Sequence, residues 1–168
     1  MRLRGVIVGC AAALLAAPAA FGAITVAASP TSGSVSVTLN GDDQVATFSE
    51  QFTVTGEGST GWNLTAWAAA PSGSAGTLSA LTVTALPTSS CGNGNCSVSV
   101  PDSTVTSIAW PLTLGTTAAT ATKFWNASSG TGTNKNQYVD AVFGAPVLAN
   151  AIAGSYSTTL TVAVSNGP

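Results

Sequence analysis

From Tyr156 to Val164 every second residue is apolar, aromatic or β-branched, and the residues between them are Ser, Thr or Ala. On an extended strand Tyr156, Thr158, Leu160, Val162 and Val164 fall on one face, with Ser157, Thr159, Thr161 and Ala163 on the other. This predicts a long strand with one buried side. The same period of two returns along the chain, punctuated by Gly, Ser, Asn and Pro, and no stretch keeps helical apolar spacing over a useful length. Such a chain is expected to be all-β. About nine short strands point to an antiparallel β-sandwich of Ig-like kind, with a closed barrel as the alternative.

The N-terminus reads as a targeting segment. Met1-Arg2-Leu3-Arg4 is a short basic start, Val6 to Ala20 is apolar and Ala-rich, and Ala20-Phe21-Gly22 places small residues where a signal peptidase reads them. The apolar run is shorter than the ~20 residues of a membrane span. The expected organisation is a signal peptide over 1–22, a lead-in segment over 23–33 and one domain over 34–168. A rival reading takes Ile7-Val8-Gly9-Cys10 as a lipoprotein box. Few residues precede Cys10 and the apolar run continues beyond it, which favours the cut after Gly22. No sorting motif or apolar helix follows Ser165-Asn166-Gly167-Pro168, so no C-terminal anchor and no transmembrane segment in the mature chain are expected.

Removing 22 of the 168 residues leaves 146, enough for one domain with a core of its own. The formal charge then moves from −2 to −4, because Arg2 and Arg4 leave with the leader. Lys123 and Lys135 are the remaining cations, and the chain has no His. Phosphate backbones are held by clustered Lys and Arg, so nucleic acid is excluded as a partner, and so is attraction to an anionic membrane surface. Cys91 and Cys96 remain as a pair in an exported chain, around Gly92-Asn93-Gly94-Asn95. One disulfide is the expectation; a metal site would lack further His or Cys ligands. Closing so short a loop contributes roughly 2 kcal/mol in the chain-entropy model.

Further strands are expected at Val35 to Leu39, Gln44 to Thr55, Trp62 to Ala69, Leu81 to Ala85, Val98 to Val100 and Val105 to Trp110. Asn40 to Asp43 should form a turn and Pro71 to Gly76 a flexible loop. Within Gln44–Thr55, Glu50 shares a face with Phe48, Phe52 and Val54, and a bulge or break is expected to turn it outward. Thr116 to Trp125 is ambiguous between strand and helical turn, with strand favoured by its Thr content. Asn126 to Asn136 reads as a loop, and Tyr138 to Leu148 as an apolar run broken by Gly144 and Pro146.

The stretch Gly61-Trp62-Asn63-Leu64-Thr65-Ala66-Trp67 carries two of the four tryptophans. Trp62 and Leu64 share one face, with Asn63, Thr65 and Trp67 on the other. Together with Phe52-Thr53-Val54 before it, Trp62-Asn63-Leu64 resembles the first signature of the WxL-domain family of Gram-positive surface proteins. Gly154-Ser155-Tyr156-Ser157-Thr158-Thr159-Leu160-Thr161 resembles that family's closing strand, and the Gly-rich loop from Asn126 to Thr133 sits where the family has one. The resemblance spans most of Val35 to Pro168. It departs where the family's second Trp-x-Leu would fall, at Val162-Ala163-Val164, and in Gly56-Glu57-Gly58 before the first motif. It implies non-covalent attachment to cell-wall peptidoglycan and work in surface complexes, often in adhesion.

Catalysis is not expected. Without His the common general base is missing, and Lys123 follows Thr120 at three residues rather than a Ser. Asp42, Asp43, Glu50, Glu57, Asp102 and Asp140 are candidates for a glycosidase pair, but most sit in or beside turns and read as solvated. Asp42-Asp43 falls far short of the roughly six to eight oxygens of a calcium site, so no metal and no cofactor are expected. Binding rests on aromatics: Trp67, Trp110 and Trp125 are candidate platforms for a sugar ring, while Trp62 suits a core position better. The candidate ligand-binding set is Trp62, Asn63, Leu64 and Trp67, toward a cell-wall glycan or another surface protein. A structural surface or coat subunit that assembles with copies of itself is the alternative, favoured by few charges and a long regular final strand.

Overall fold

The computed structural model describes residues 5–14, 24–29, 31–55, 61–91, 107–127 and 136–167, with the backbone alone for 5–8 and 10–14. They are all-β, in two sheets. The first has the order β11 (Thr122–Ala127), β5 (Trp62–Ala68), β13 (Ser155–Asn166), β1 (Gly5–Leu14), β3 (Ser32–Thr38). A small hairpin, β6 (Ser72–Gly73) and β7 (Gly76–Thr77), joins it where Ser72 pairs with Ser157. The second runs β10 (Leu112–Thr113), β8 (Thr82–Val83), β12 (Gln137–Val147), β4 (Gln44–Thr55), β2 (Thr25–Ser29), with β9 (Thr88–Cys91) also on β12. Described ladders between these strands are antiparallel except β1 on β13, which is parallel.

The sheets are joined by aromatic rings. Phe52 of β4 and Phe143 of β12 meet Phe124 of β11 at centroid distances of 5.8 and 6.0 Å, and Phe48 stacks on Phe143 at 5.5 Å. Around them lie Trp62, Leu64, Trp125, Val139, Leu160 and Val162, all buried. Burying a side chain of this size stabilises the fold by about 1.5–3 kcal/mol. β11 fills this core through an irregularity: its register on β5 shifts between Lys123 and Trp125, so consecutive Phe124 and Trp125 are both fully buried.

Several sequence expectations are corrected. β4 runs unbroken, in continuous register with β12 from Gln44 to Val54, and Glu50 is turned inward at 4 % exposure rather than outward. Burial raises its carboxyl pKa above the ordinary value, because desolvation disfavours the charged form. β12 is likewise continuous through Gly144 and Pro146. A Cβ at Gly144 would stand 2.7 Å from Val45 Cγ1 and 3.0 Å from Thr84 Cγ2, so crowding explains the glycine. Pro146 lies past the last pair with β8, where β12 has β4 on one side only, a position that tolerates a missing N–H.

The Pro71–Gly76 stretch is a hairpin closed by Leu78 N–H donating to Pro71 O at 2.8 Å, with Gly76 at φ 127°. Residues 107–110 form turns and bends rather than the expected strand end, and Trp110 packs half-buried on the core. Residues 116–125 divide into a 3₁₀ turn at Ala118–Thr120 and the start of β11. Strand β8 covers only two residues of the expected Leu81–Ala85. The lead-in stretch holds β2, paired with β4 from Thr25 to Ser29, and the start of β3. The expected strand Val98–Val100 and most of the Asn126–Asn136 loop lie outside the described residues, as does Cys96. Cys91 is half-buried at the end of β9 and is not a free thiol.

Candidate functional site

β5 lies between β11 and β13, and its alternation sorts the four residues singled out from the sequence. Trp62 and Leu64 point into the sandwich at 1 % and 0 % exposure, out of reach of any surface ligand. Trp125, also a candidate platform by sequence, is in the same core. Among the described residues neither Trp62 Nε1 nor Trp125 Nε1 has a hydrogen-bond acceptor, and an unmatched buried indole donor carries a desolvation cost.

Asn63 faces the other way but is occupied. Its Nδ2 donates to Gly167 O at 2.8 Å and its Oδ1 accepts from Ser165 Oγ at 2.9 Å, while Gly167 N–H donates to Gly61 O at 3.0 Å. The side chain therefore clips the end of β13 to the start of β5. Asn126 stands directly across from it on β11, fully buried. The asparagine is a structural clamp rather than an open ligand group.

The rest of that outer face is more open. Thr65 pairs across to Lys123 on β11 and to Ala163 on β13, and all three are half-buried. Trp67 is opposite Thr161 and also half-buried, and Gly115 forms a parallel bridge beside it, with Ala68 N–H donating to Gly115 O at 3.0 Å. An indole, the Thr65 hydroxyl and one ammonium group thus share the half-buried part of one sheet face, with Thr161 buried beside the indole. Lys123 is the one cation among the described side chains, and no group of three or more potential metal ligands occurs among the described residues.

The carboxylates go elsewhere. Asp43 Oδ1 accepts Ala149 N–H at 2.7 Å, Asp140 Oδ1 accepts Gln51 Nε2–H at 2.9 Å, and Glu50 is in the core. Asp42 is exposed in the turn after β3, with its backbone N–H on Asn40 Oδ1. Glu57 and Asp102 lie outside the described residues.

A second surface feature was not visible in the sequence reading. A cavity of about 370 Å³ opens between the β6–β7 hairpin and the β12–β13 connection, with Leu78, Leu148, Ile152 and Tyr156 in its lining beside the polar Thr77, Ser79 and Asn150. Leu148 and Ile152 are 48 % and 64 % exposed, and Tyr156 Oη donates to Ile152 O at 2.6 Å. The signal available in the sequence was Leu148 and Ile152 flanking the turn-forming Ala149-Asn150-Ala151, apolar residues in a connection that alternation does not explain.

No protein-family model matches the chain, and no curated protein matches it.

Proposed function

We propose that this chain is a secreted, non-catalytic β-sandwich resembling WxL domains, which associates non-covalently with cell-wall peptidoglycan or a surface complex through the outer face of β11, β5 and β13. Its place is extracellular, against the cell wall. The observation that carries the reading is the position of Trp67. It is the tryptophan of β5 that faces outward and stays partly open, on the same face as the half-buried Thr65 and Lys123. A flat indole takes the C–H face of a sugar ring, and hydroxyl and ammonium groups around it take the sugar hydroxyls or a peptide carboxylate. The absence of His in the sequence supports a binding rather than a catalytic role. A Cys91–Cys96 disulfide belongs to the same reading, as a staple across the end of β9.

The test is co-sedimentation of the secreted chain with isolated Gram-positive cell walls, beside a Trp67→Ala variant. Saturable pelleting that weakens tenfold or more in the variant is the expected result. Pelleting unchanged by the substitution moves the site off this face, and no pelleting removes direct wall binding.

A second reading, a self-assembling surface subunit, is favoured by the exposed Leu148 and Ile152 at the cavity between the β6–β7 hairpin and the β12–β13 connection. It predicts oligomers that grow with concentration in the absence of any wall, and that dissociate in an Ile152→Asp variant.

A further inference from the structure

β1 occupies a peculiar place for a segment that reads as a cleaved leader. It is the strand between β13 and β3, parallel to the first from Ile7↔Ser155 to Leu14↔Val162 and antiparallel to the second from Gly5↔Thr38 to Ala11↔Ser32. Among the described residues β3 has no other ladder. Cutting after Gly22 would therefore strip β13 of its neighbour on one side along Ser155–Val162, β5 and β6 staying on the other, and leave β3 without any described pairing strand. Two unpaired edges with the width of one strand between them are an unstable arrangement, open to solvent and to aggregation.

The registers already contain a solution. Val8 pairs with Val35 on one side and Tyr156 on the other; Gly9 pairs with Ser34 and Ser157; Ile7 pairs with Ser36 and Ser155. Moving β3 sideways by one strand spacing, about 4.8 Å, without sliding it, sets Val35 opposite Tyr156, Ser34 opposite Ser157 and Ser36 opposite Ser155. The direction is right, because a strand antiparallel to β1 is antiparallel to β13. The faces are right as well. Val35 is half-buried and Tyr156 buried, while Ser34, Ser36, Ser155 and Ser157 are all exposed. A slip of one residue would put serines against the tyrosine. The chain between β3 and β4 has five residues, Leu39 to Asp43, outside either strand, with Gly41 at φ 93° and open space around it. That connection is long enough to absorb the shift.

We propose that residues 5–14 are a place-holding strand, and that after the leader is removed β3 of the same chain moves into their position and pairs antiparallel with β13, Val35 opposite Tyr156. The proposal rests on the leader reading and is independent of wall binding. Before cleavage the N-terminal strand shields the β13 edge from other chains; after it, the domain closes with its own β3.

The experiment places Ser34→Cys and Ser157→Cys in the full-length chain, with Cys10→Ser, expressed in a secreting Gram-positive host. In the uncut chain the two positions are two strand spacings apart, roughly 10 Å, beyond the reach of a disulfide. In the closed arrangement they are directly opposite and within reach. The expected result is a secreted chain starting at Ala23 in which both introduced thiols are lost to a bridge within one molecule. A control pairing Ser34→Cys with Thr158→Cys, on opposite faces, keeps its thiols. Hydrogen exchange on the unsubstituted secreted chain should show β3 amides protected at least a hundredfold over an unpaired strand. A secreted chain that retains residues 5–14 overturns the proposal at its first step. Bridges between two molecules overturn it in favour of strand exchange, and free thiols with fast β3 exchange overturn it in favour of a gap that stays open.

Discussion

Glu50 and Ala141 stand directly opposite each other in the β4–β12 ladder, and both are buried. Among the described residues Glu50 Oε2 has no hydrogen-bond partner, and burial pushes its pKa up. The folded chain thus holds the Glu50 proton more tightly than the unfolded chain does. Stability from this group is full below its ordinary value of 4.5 and falls as pH rises from there, until the folded carboxyl has itself ionised. Glu50→Gln, which cannot ionise, should remove this loss. Urea unfolding at a series of pH values would show a flat profile for the variant above pH 4.5 against a falling one for the parent. At neutral pH the apolar Glu50→Met should be more stable than the parent by about 1–3 kcal/mol, the usual cost of an unmatched buried polar group.

The four tryptophans should separate into two classes. Trp62 and Trp125 are fully buried, whereas Trp67 and Trp110 are half-buried. Acrylamide quenching of the native chain should be biphasic, and Trp67→Phe should remove part of the accessible fraction while leaving the protected fraction intact. Trp62→Ala should lower stability by roughly 3–5 kcal/mol through the cavity it opens in the core, and Trp67→Ala by less than half of that. Equal costs by urea denaturation would contradict the assignment of the two faces of β5.

The face of β5 was legible in the sequence because alternation is a local property: Trp62 and Leu64 are in phase, and Trp67 is out of phase with them. The closing strand was legible for the same reason. What alternation could not reveal is where the chain breaks its own rule. Phe124 and Trp125 are adjacent, so a regular strand would expose one of them; the register shift after Lys123 buries both. A charged Glu50 predicts a bulge, yet the strand stays in regular register and burial raises the carboxyl pKa instead. Gly144 and Pro146 interrupt the apolar run in the sequence, yet their neighbours across the sheet make each acceptable where it stands. The role of Asn63 as a clip on Ser165 and Gly167 depends on contacts more than a hundred residues apart, which no local pattern carries.

Gly115 tests the support beneath Trp67. A Cβ at this position would overlap Thr120 O and stand 2.5 Å from Thr120 C, both backbone atoms that cannot swing aside. The same residue donates its N–H to Thr122 Oγ1 at 2.8 Å and accepts Ala68 N–H at 3.0 Å. Gly115→Ala should therefore open the 115–120 turn and cost about 1–3 kcal/mol, typical of overpacking. Because the turn borders Trp67, acrylamide quenching of that tryptophan should rise together with the fall in the urea midpoint. A midpoint that falls without any change in quenching would mean that the turn gives way elsewhere and does not shelter the indole.

Tyr156 fixes the connection that leads into β13. Its ring is buried and its hydroxyl donates to Ile152 O at 2.6 Å, four residues back, both residues lining the cavity beside the β6–β7 hairpin. Tyr156→Phe keeps the ring and removes only the donor, so the loss should be that of one hydrogen bond, about 0.5–1.5 kcal/mol. The effect should be local. Amides from Ala149 to Gly154 should exchange faster in the variant, while those of β12 and the far half of β13 should keep their protection. If the bond instead holds the whole closing strand in register, protection will fall along all of β13 and the urea midpoint will drop by more than a single hydrogen bond accounts for.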